Sequence, residues 1–115
     1  MAYDTQLASR IRAVLAAMGG GDEVRMMGGL FFLRGGNMAC GVTGGRLMVR
    51  LGKAGAAEAL TAPEVEPLEI GGGRTADAFV TIDPAAIAEE TALKGWVARG
   101  VAFADALPAK AQRRK

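Results

Sequence analysis

Apolar residues in the first part of the chain recur at spacings of three and four. The repeat runs through Leu7, Ile11, Val14, Leu15 and Met18. This is the apolar stripe of an amphipathic helix of about four turns. Asp4 is suited to cap its N-terminus, and Gly19–Gly21 are suited to end it.

From Glu23 to Ile82 the pattern changes to short apolar runs separated by glycines. Four runs have the length of strands: Val24–Met27, Leu30–Arg34, Met38–Val42 and Leu47–Leu51. Paired glycines separate the second run from the third and the third from the fourth, which is typical of tight antiparallel hairpins. We further predict a short helix at Lys53–Leu60, an edge strand at Pro67–Ile70 and a strand at Ala78–Ile82.

Asp83-Pro84 predicts the start of a long C-terminal helix, because proline is well tolerated at the first helical position. Its apolar stripe runs from Ile87 to Leu107, with Trp96 in the core. The whole order predicts an α+β, two-layer fold: an N-terminal helix, an antiparallel sheet of four to six strands and a long C-terminal helix, with the helices on one face of the sheet.

The basic pI near 9.0 comes from the end of the chain. Lys110, Arg113, Arg114 and Lys115 are four of fourteen basic residues, which leaves ten basic against twelve acidic residues, a net charge of −2. We therefore expect one domain at 1–108 and a disordered basic tail at 109–115. Weak, salt-dependent nucleic-acid binding through that tail is an alternative function, but nucleic acid is not the expected partner.

The sequence contains no histidine and one cysteine. The absence of histidine excludes serine–histidine and cysteine–histidine nucleophiles and the usual zinc sites. Cys40 lies at strand spacing between Met38 and Val42, so we expect a buried, unreactive thiol. We predict no catalytic residue, no cofactor and no metal site, and hence not an enzyme; an enzyme without histidine chemistry is a further alternative. Without a signal peptide or a long apolar segment, the expected location is the cytoplasm, with no membrane partner.

Strand alternation predicts a second sheet face that the helices leave open. The candidate partner-binding face comprises Ala39, Gly41, Met48, Arg50 and Phe79. An unidentified protein, such as a transcription regulator, is the expected partner. The alternative is that the connector Lys53–Pro67 covers this face. The same residues suggest a weak, concentration-dependent homodimer, with a monomer as the alternative.

The stretch Met26–Val42, with its paired glycines, phenylalanine strand and glycine–methionine hairpin, resembles the TfoX/Sxy N-terminal domain family. Leu47–Gly52, Ile82–Pro84 and Trp96–Gly100 are similar to later parts of the same family. Met27 replaces the usual aromatic residue, and Arg74–Phe79 lacks the usual methionine-x-glycine-tryptophan run. The resemblance implies a helix, an antiparallel sheet and a helix in two layers, and a role in regulating DNA-uptake competence, as a co-activator beside the cyclic-AMP receptor protein. Full-length members of the family have a second, helical C-terminal domain, and we expect this chain to be a stand-alone N-terminal domain.

Overall fold

A computed structural model describes residues 3–26 and 28–108. In chain order it contains α1 (Thr5–Ala16), β1 (Asp22–Met26), β2 (Gly29–Arg34), β3 (Asn37–Thr43), β4 (Arg46–Arg50), α2 (Gly52–Ala59), β5 (Val65–Gly71), β6 (Arg74–Ile82), a 3-10 turn (Pro84–Ile87) and α3 (Glu90–Ala106). The predicted α+β class and element order are confirmed.

Helix α1 begins at the predicted cap. The Asp4 carboxylate accepts hydrogen bonds from the amides of Gln6 and Leu7, at 2.9 and 3.1 Å. These amides have no partner within the helix, so the cap satisfies donors that would otherwise need water. The predicted apolar stripe is buried as far as Leu15, and Met18, beyond the end of α1, is half-buried.

The six strands form one antiparallel sheet in the order β1-β2-β3-β4-β6-β5. The first four are neighbours in sequence and in space, because the glycine links allow only adjacent antiparallel pairing. The chain then passes through α2 to the far edge, and β6 returns between β4 and β5. The prediction of Pro67–Ile70 as an edge strand is confirmed within β5.

The main core lies between the sheet and the helices. Two rows of buried side chains cross the sheet on this side: Leu30, Val42, Leu47 and Ile82; and Phe32, Cys40, Val49 and Val80. Buried apolar residues of α1 and α3 close over them, and Ala56 and Ala59 bring α2 into the same core. Removing this apolar surface from water is the principal stabilisation of the fold.

The expected single C-terminal helix is two elements. Asp83 does cap a helical turn, accepting from the Ala85 amide at 2.9 Å, but this 3-10 turn ends at Ile87. Ile87 is buried at the end of this turn. The backbone of Glu89 is extended, which changes the direction of the chain before α3 begins. Trp96 is half-buried rather than fully in the core, and the guanidinium carbon of Arg99 lies 4.8 Å from its ring centre.

The basic tail at 109–115 lies outside the described residues. Within 3–26 and 28–108, no helix is both long and apolar enough to cross a membrane.

Candidate protein-binding surface

The five residues of the predicted face do not form one exposed surface. Ala39 and Met48 have no exposed area, and Gly41 is also buried. Arg50 and Phe79 are half-buried. The expectation that the five lie together on an open face is therefore wrong, and the reasons differ along the sheet.

Gly41 is buried because an aromatic ring lies on it. Phe31, Gly41, Met48 and Thr81 occupy one row across β2, β3, β4 and β6, on the side away from the main core. A Cβ built on Gly41 would lie 2.6 Å from Cδ1 of Phe31, and one built on Gly29 would lie 2.9 Å from its Cζ. Glycine at these positions leaves room for the Phe31 ring, which is 5% exposed.

Ala39 faces the helices because of a β-bulge. Phe32 pairs with Cys40 and Leu33 with Met38, so Ala39 has no partner of its own in β2. A bulge changes which way the following side chains point. Ala39 consequently belongs to the main core, and its carbonyl oxygen lies against Gly100 of α3.

The structure does bring Arg50 and Phe79 together. They are register partners on β4 and β6, and the guanidinium carbon of Arg50 lies 5.6 Å from the Phe79 ring centre and 5.5 Å from that of Phe103. Arg50 also donates a long hydrogen bond of 3.5 Å to the carbonyl of Met38. Its buried Nε has no acceptor among the residues that the structure describes. Contact with the ring faces compensates part of that loss.

The sheet curls so that β5 approaches β2. Phe31 and Thr43 line one cleft, of about 210 Å³, together with Leu68, Glu69 and Ile70. In a flat sheet β2 and β5 would lie about 19 Å apart, because three strands separate them. The bend comes from the β5–β6 hairpin, whose register shifts between Pro67 and Leu68. Strand β5 thus closes the second face at Phe31, whereas Lys53 and Ala57 of α2, in the Lys53–Pro67 connector, lie beside Phe79.

Arg46 fastens this curled part of the sheet. Its Nε donates to the Thr81 hydroxyl at 3.0 Å, and its Nη2 lies 3.8 Å from a Glu66 carboxylate oxygen. The Thr81 hydroxyl in turn donates to the Glu66 carbonyl at 3.3 Å. One side chain on β4 therefore joins β6 and β5, which holds the far edge in position.

Four large apolar side chains are exposed among the described residues: Val24 at 39%, Met26 at 38%, Leu60 at 39% and Ile70 at 45%. Three of the four lie on the two edge strands.

Ile70 lines the cleft, and Val24 is the register partner of Phe31 at its floor. We call Phe31, Leu68 and Ile70 the apolar cleft. The uninterrupted apolar run at 30–33 was the sequence signal for it, because such a run is typical of a strand buried on both faces.

Chemistry at the other candidate positions is limited. Burial raises the pKa of the Cys40 thiol to about 12, which keeps it protonated and unreactive at neutral pH. No group of three or more potential metal-ligating side chains occurs in the described part of the chain. Glu66, Glu69, Glu89 and Glu90 are exposed, and Glu64 is half-buried.

The glycine-rich segment Gly19–Gly21 is held by Arg34. Nη1 of Arg34 donates to the carbonyls of Met18 and Gly20 at 2.8 and 2.7 Å. Its Nε and Nη2 donate to the Asp105 carboxylate at 3.2 and 2.9 Å. These hydrogen bonds lower the pKa of Asp105 and tie the ends of α1, β2 and α3 together. The loop therefore has a structural partner.

Comparison with known proteins gives one family. No curated protein and no solved structure matches the chain. The model of the TfoX N-terminal domain matches residues 13–104, a range that includes Phe31 and Ile70 and all six strands. The chain belongs to the TfoX N-terminal domain family.

Proposed function

We propose that this chain is a non-enzymatic regulatory domain that binds a protein partner through the apolar cleft, and that the partner is a transcription regulator of DNA-uptake competence. Family membership supports the regulatory role. The buried, protonated thiol of Cys40 supports the absence of catalysis.

The observation that carries the proposal is the exposure of Ile70 beside a preformed cleft. Ile70 is the most exposed large apolar residue among those described, at 45%, whereas Phe31 beneath it is 5% exposed. An exposed aliphatic side chain next to a cleft with an aromatic floor offers apolar area to a partner, and the sheet holds the cleft in shape before binding.

The surroundings of the cleft indicate the chemistry of the partner segment. Glu69 lines the cleft and is exposed. An acidic group beside an apolar centre favours a segment that inserts an apolar side chain and carries lysine or arginine next to it.

The test is direct binding between the purified chain and the cyclic-AMP receptor protein of its host, the partner that the family implies. We expect binding by the unaltered chain. Ile70→Lys should weaken it about tenfold, because a charge replaces buried apolar contact and about 1.4 kcal/mol corresponds to tenfold.

Leu60→Lys is the matched control. Leu60 has a similar exposure, 39%, but lies beside α2 and away from the cleft. We expect it to leave binding unchanged. Absence of binding by the unaltered chain would overturn the choice of partner, and equal losses in the two variants would overturn the choice of surface.

A further inference from the structure

The two edges of the sheet differ in their protection against pairing. On β5, Pro67 has no N–H to donate, and the register with β6 shifts twice. Exposed glutamates occupy positions 66 and 69. Proline, bulges and charge are the means by which natural edge strands avoid further pairing. The β5 edge is therefore closed to another strand.

Strand β1 has none of these backbone obstacles. It contains no proline, its register with β2 is regular from Asp22 to Met26, and all five of its residues are exposed. β2 pairs with it on one side only, since β1 is the last strand of the sheet in that direction. Among the residues that the structure describes, none pairs with its other side, which presents its backbone groups to solvent.

The hairpin geometry identifies which groups point outward. Met26 and Gly29 are register partners joined by two residues, so they form a hydrogen-bonded pair. Such pairs alternate along antiparallel strands, which directs the N–H and C=O groups of Val24 towards β2. The N–H and C=O groups of Glu23 and Arg25 therefore point to the free edge.

This edge is complementary to itself. The strand reads Asp22-Glu23-Val24-Arg25-Met26. An antiparallel copy related by a two-fold axis at Val24 places Glu23 opposite the Arg25 of the partner copy, twice. These are also the residues whose backbone groups face outward, so each charged pair coincides with a pair of backbone hydrogen bonds.

We infer that β1 is a homodimer interface, in which two copies pair their β1 edges about Val24 and form one continuous sheet. Glu23 already receives a bidentate hydrogen bond from Arg12, at 2.5 and 2.9 Å, which fixes its carboxylate on the helix side of the sheet. Both Arg12 and Arg25 lower the pKa of this carboxyl group, so it is ionised at neutral pH. On the opposite side the two Val24 side chains meet at the axis.

A charge swap tests the register. Glu23→Arg places positive charges opposite each other in the dimer, and Arg25→Glu places negative charges opposite each other. Each variant alone should dimerise about tenfold more weakly, because like charges directly opposite are unfavourable. An equimolar mixture of the two variants should regain dimerisation, because both pairs then carry opposite charges. Sedimentation velocity over a wide concentration range measures all three samples.

Arg25→Pro tests the backbone separately. Its N–H points away from β2, so proline removes a bond of the dimer and none of the hairpin. We expect loss of the dimer with an unchanged circular dichroism spectrum.

The inference does not rest on the proposed function. Ile70→Lys should leave the dimer unchanged, and Arg25→Pro should leave an apolar cleft that still binds its partner. A monomer at the highest concentration of the unaltered chain would overturn the inference. A dimer that survives Arg25→Pro, or that the mixed variants fail to restore, would overturn this interface.

Discussion

Gly100 of α3 packs directly on the carbonyl oxygen of Ala39 in β3, so closely that a Cβ atom at position 100 would overlap this oxygen. A Cβ there would also lie 3.1 Å from Cγ1 of Val49. The first obstacle is backbone, which cannot rotate away as a side chain can. Gly100→Ala must therefore push α3 off the sheet, and we expect a loss of about 3 kcal/mol in the free energy of unfolding.

Gly95, in the same helix, provides the opposite result. A Cβ there would meet nothing within 4 Å, and the residue is exposed. Gly95→Ala should stabilise the protein by about 0.8 kcal/mol, because alanine loses less backbone entropy than glycine in a helix. Urea denaturation of both variants measures the two effects. Equal changes in the same direction would contradict the close packing of α3 on β3.

Arg34 should be important for stability although it is on the surface-facing end of β2. Arg34→Met removes the donors to the Met18 and Gly20 carbonyls and to Asp105. We expect a loss of about 2 kcal/mol, because part-buried carbonyls lose their partner. Asp105→Asn should have a smaller effect, since Asp105 is exposed and the carbonyl bonds remain. Thermal melts of both variants check the order, which the reverse ranking would contradict.

The Cys40 thiol predicts a pH dependence above neutrality. Its pKa is raised to about 12 in the folded protein from 9.0, so between these pH values the unfolded chain loses a proton that the folded chain keeps. Stability should fall as pH rises through this window, by at most about 1.4 kcal/mol per pH unit, and should be unaffected by this group below it.

Cys40→Ala isolates this contribution. The difference in unfolding free energy between the unaltered chain and Cys40→Ala should be constant from pH 7 to 8 and should shrink by about 1.4 kcal/mol by pH 10. Native alkylation should be far slower than that of a free thiol. A constant difference across the whole range would show that the thiol ionises equally in both states.

Met48 distinguishes the predicted face from the observed one. Because Met48 has no exposed area, Met48→Lys buries a charge without a partner and should unfold the protein. Ile70→Lys alters an exposed side chain and should change stability by less than about 0.5 kcal/mol. Circular dichroism at several urea concentrations separates these outcomes. A folded Met48→Lys variant would contradict the burial of Met48 and would support the open face predicted from the sequence.

The sequence predicted the elements better than the surface. Helix α1 and strands β2 to β4 followed from local periodicity and from paired glycines, which act over a few residues. Met48 is buried on the second face, where Phe31 lies across the cleft from Leu68 and Ile70, residues that come more than thirty-five positions later in the chain. Alternation says which side of a strand a residue occupies, but not whether a distant strand covers that side.

Strand β1 carries Glu23 and Arg25 as exposed charged residues, but a single copy of the chain does not show that they are complementary. Glu23 and Arg25 are complementary only across a symmetry axis, so a reading along the chain meets them as ordinary surface charges. Ala39 was misplaced for a different reason: a bulge interrupts strict alternation, and no proline or glycine at 39 signals it.

The place of α3 at the end of the element order has a consequence for how the protein reaches its native state. Strands β1 to β4 form a meander of sequence neighbours, which needs only short loop closures and can form early during synthesis. The part of its core face that α3 covers stays exposed until α3 has been made, because α1 closes over the rest and α3 carries Leu93 and Val97. The half-made chain therefore presents Val49, which lies against Gly100 of α3 in the folded protein, to water for as long as the remaining residues take to emerge. A ribosome-bound nascent chain ending before α3 should recruit chaperones that the completed chain does not.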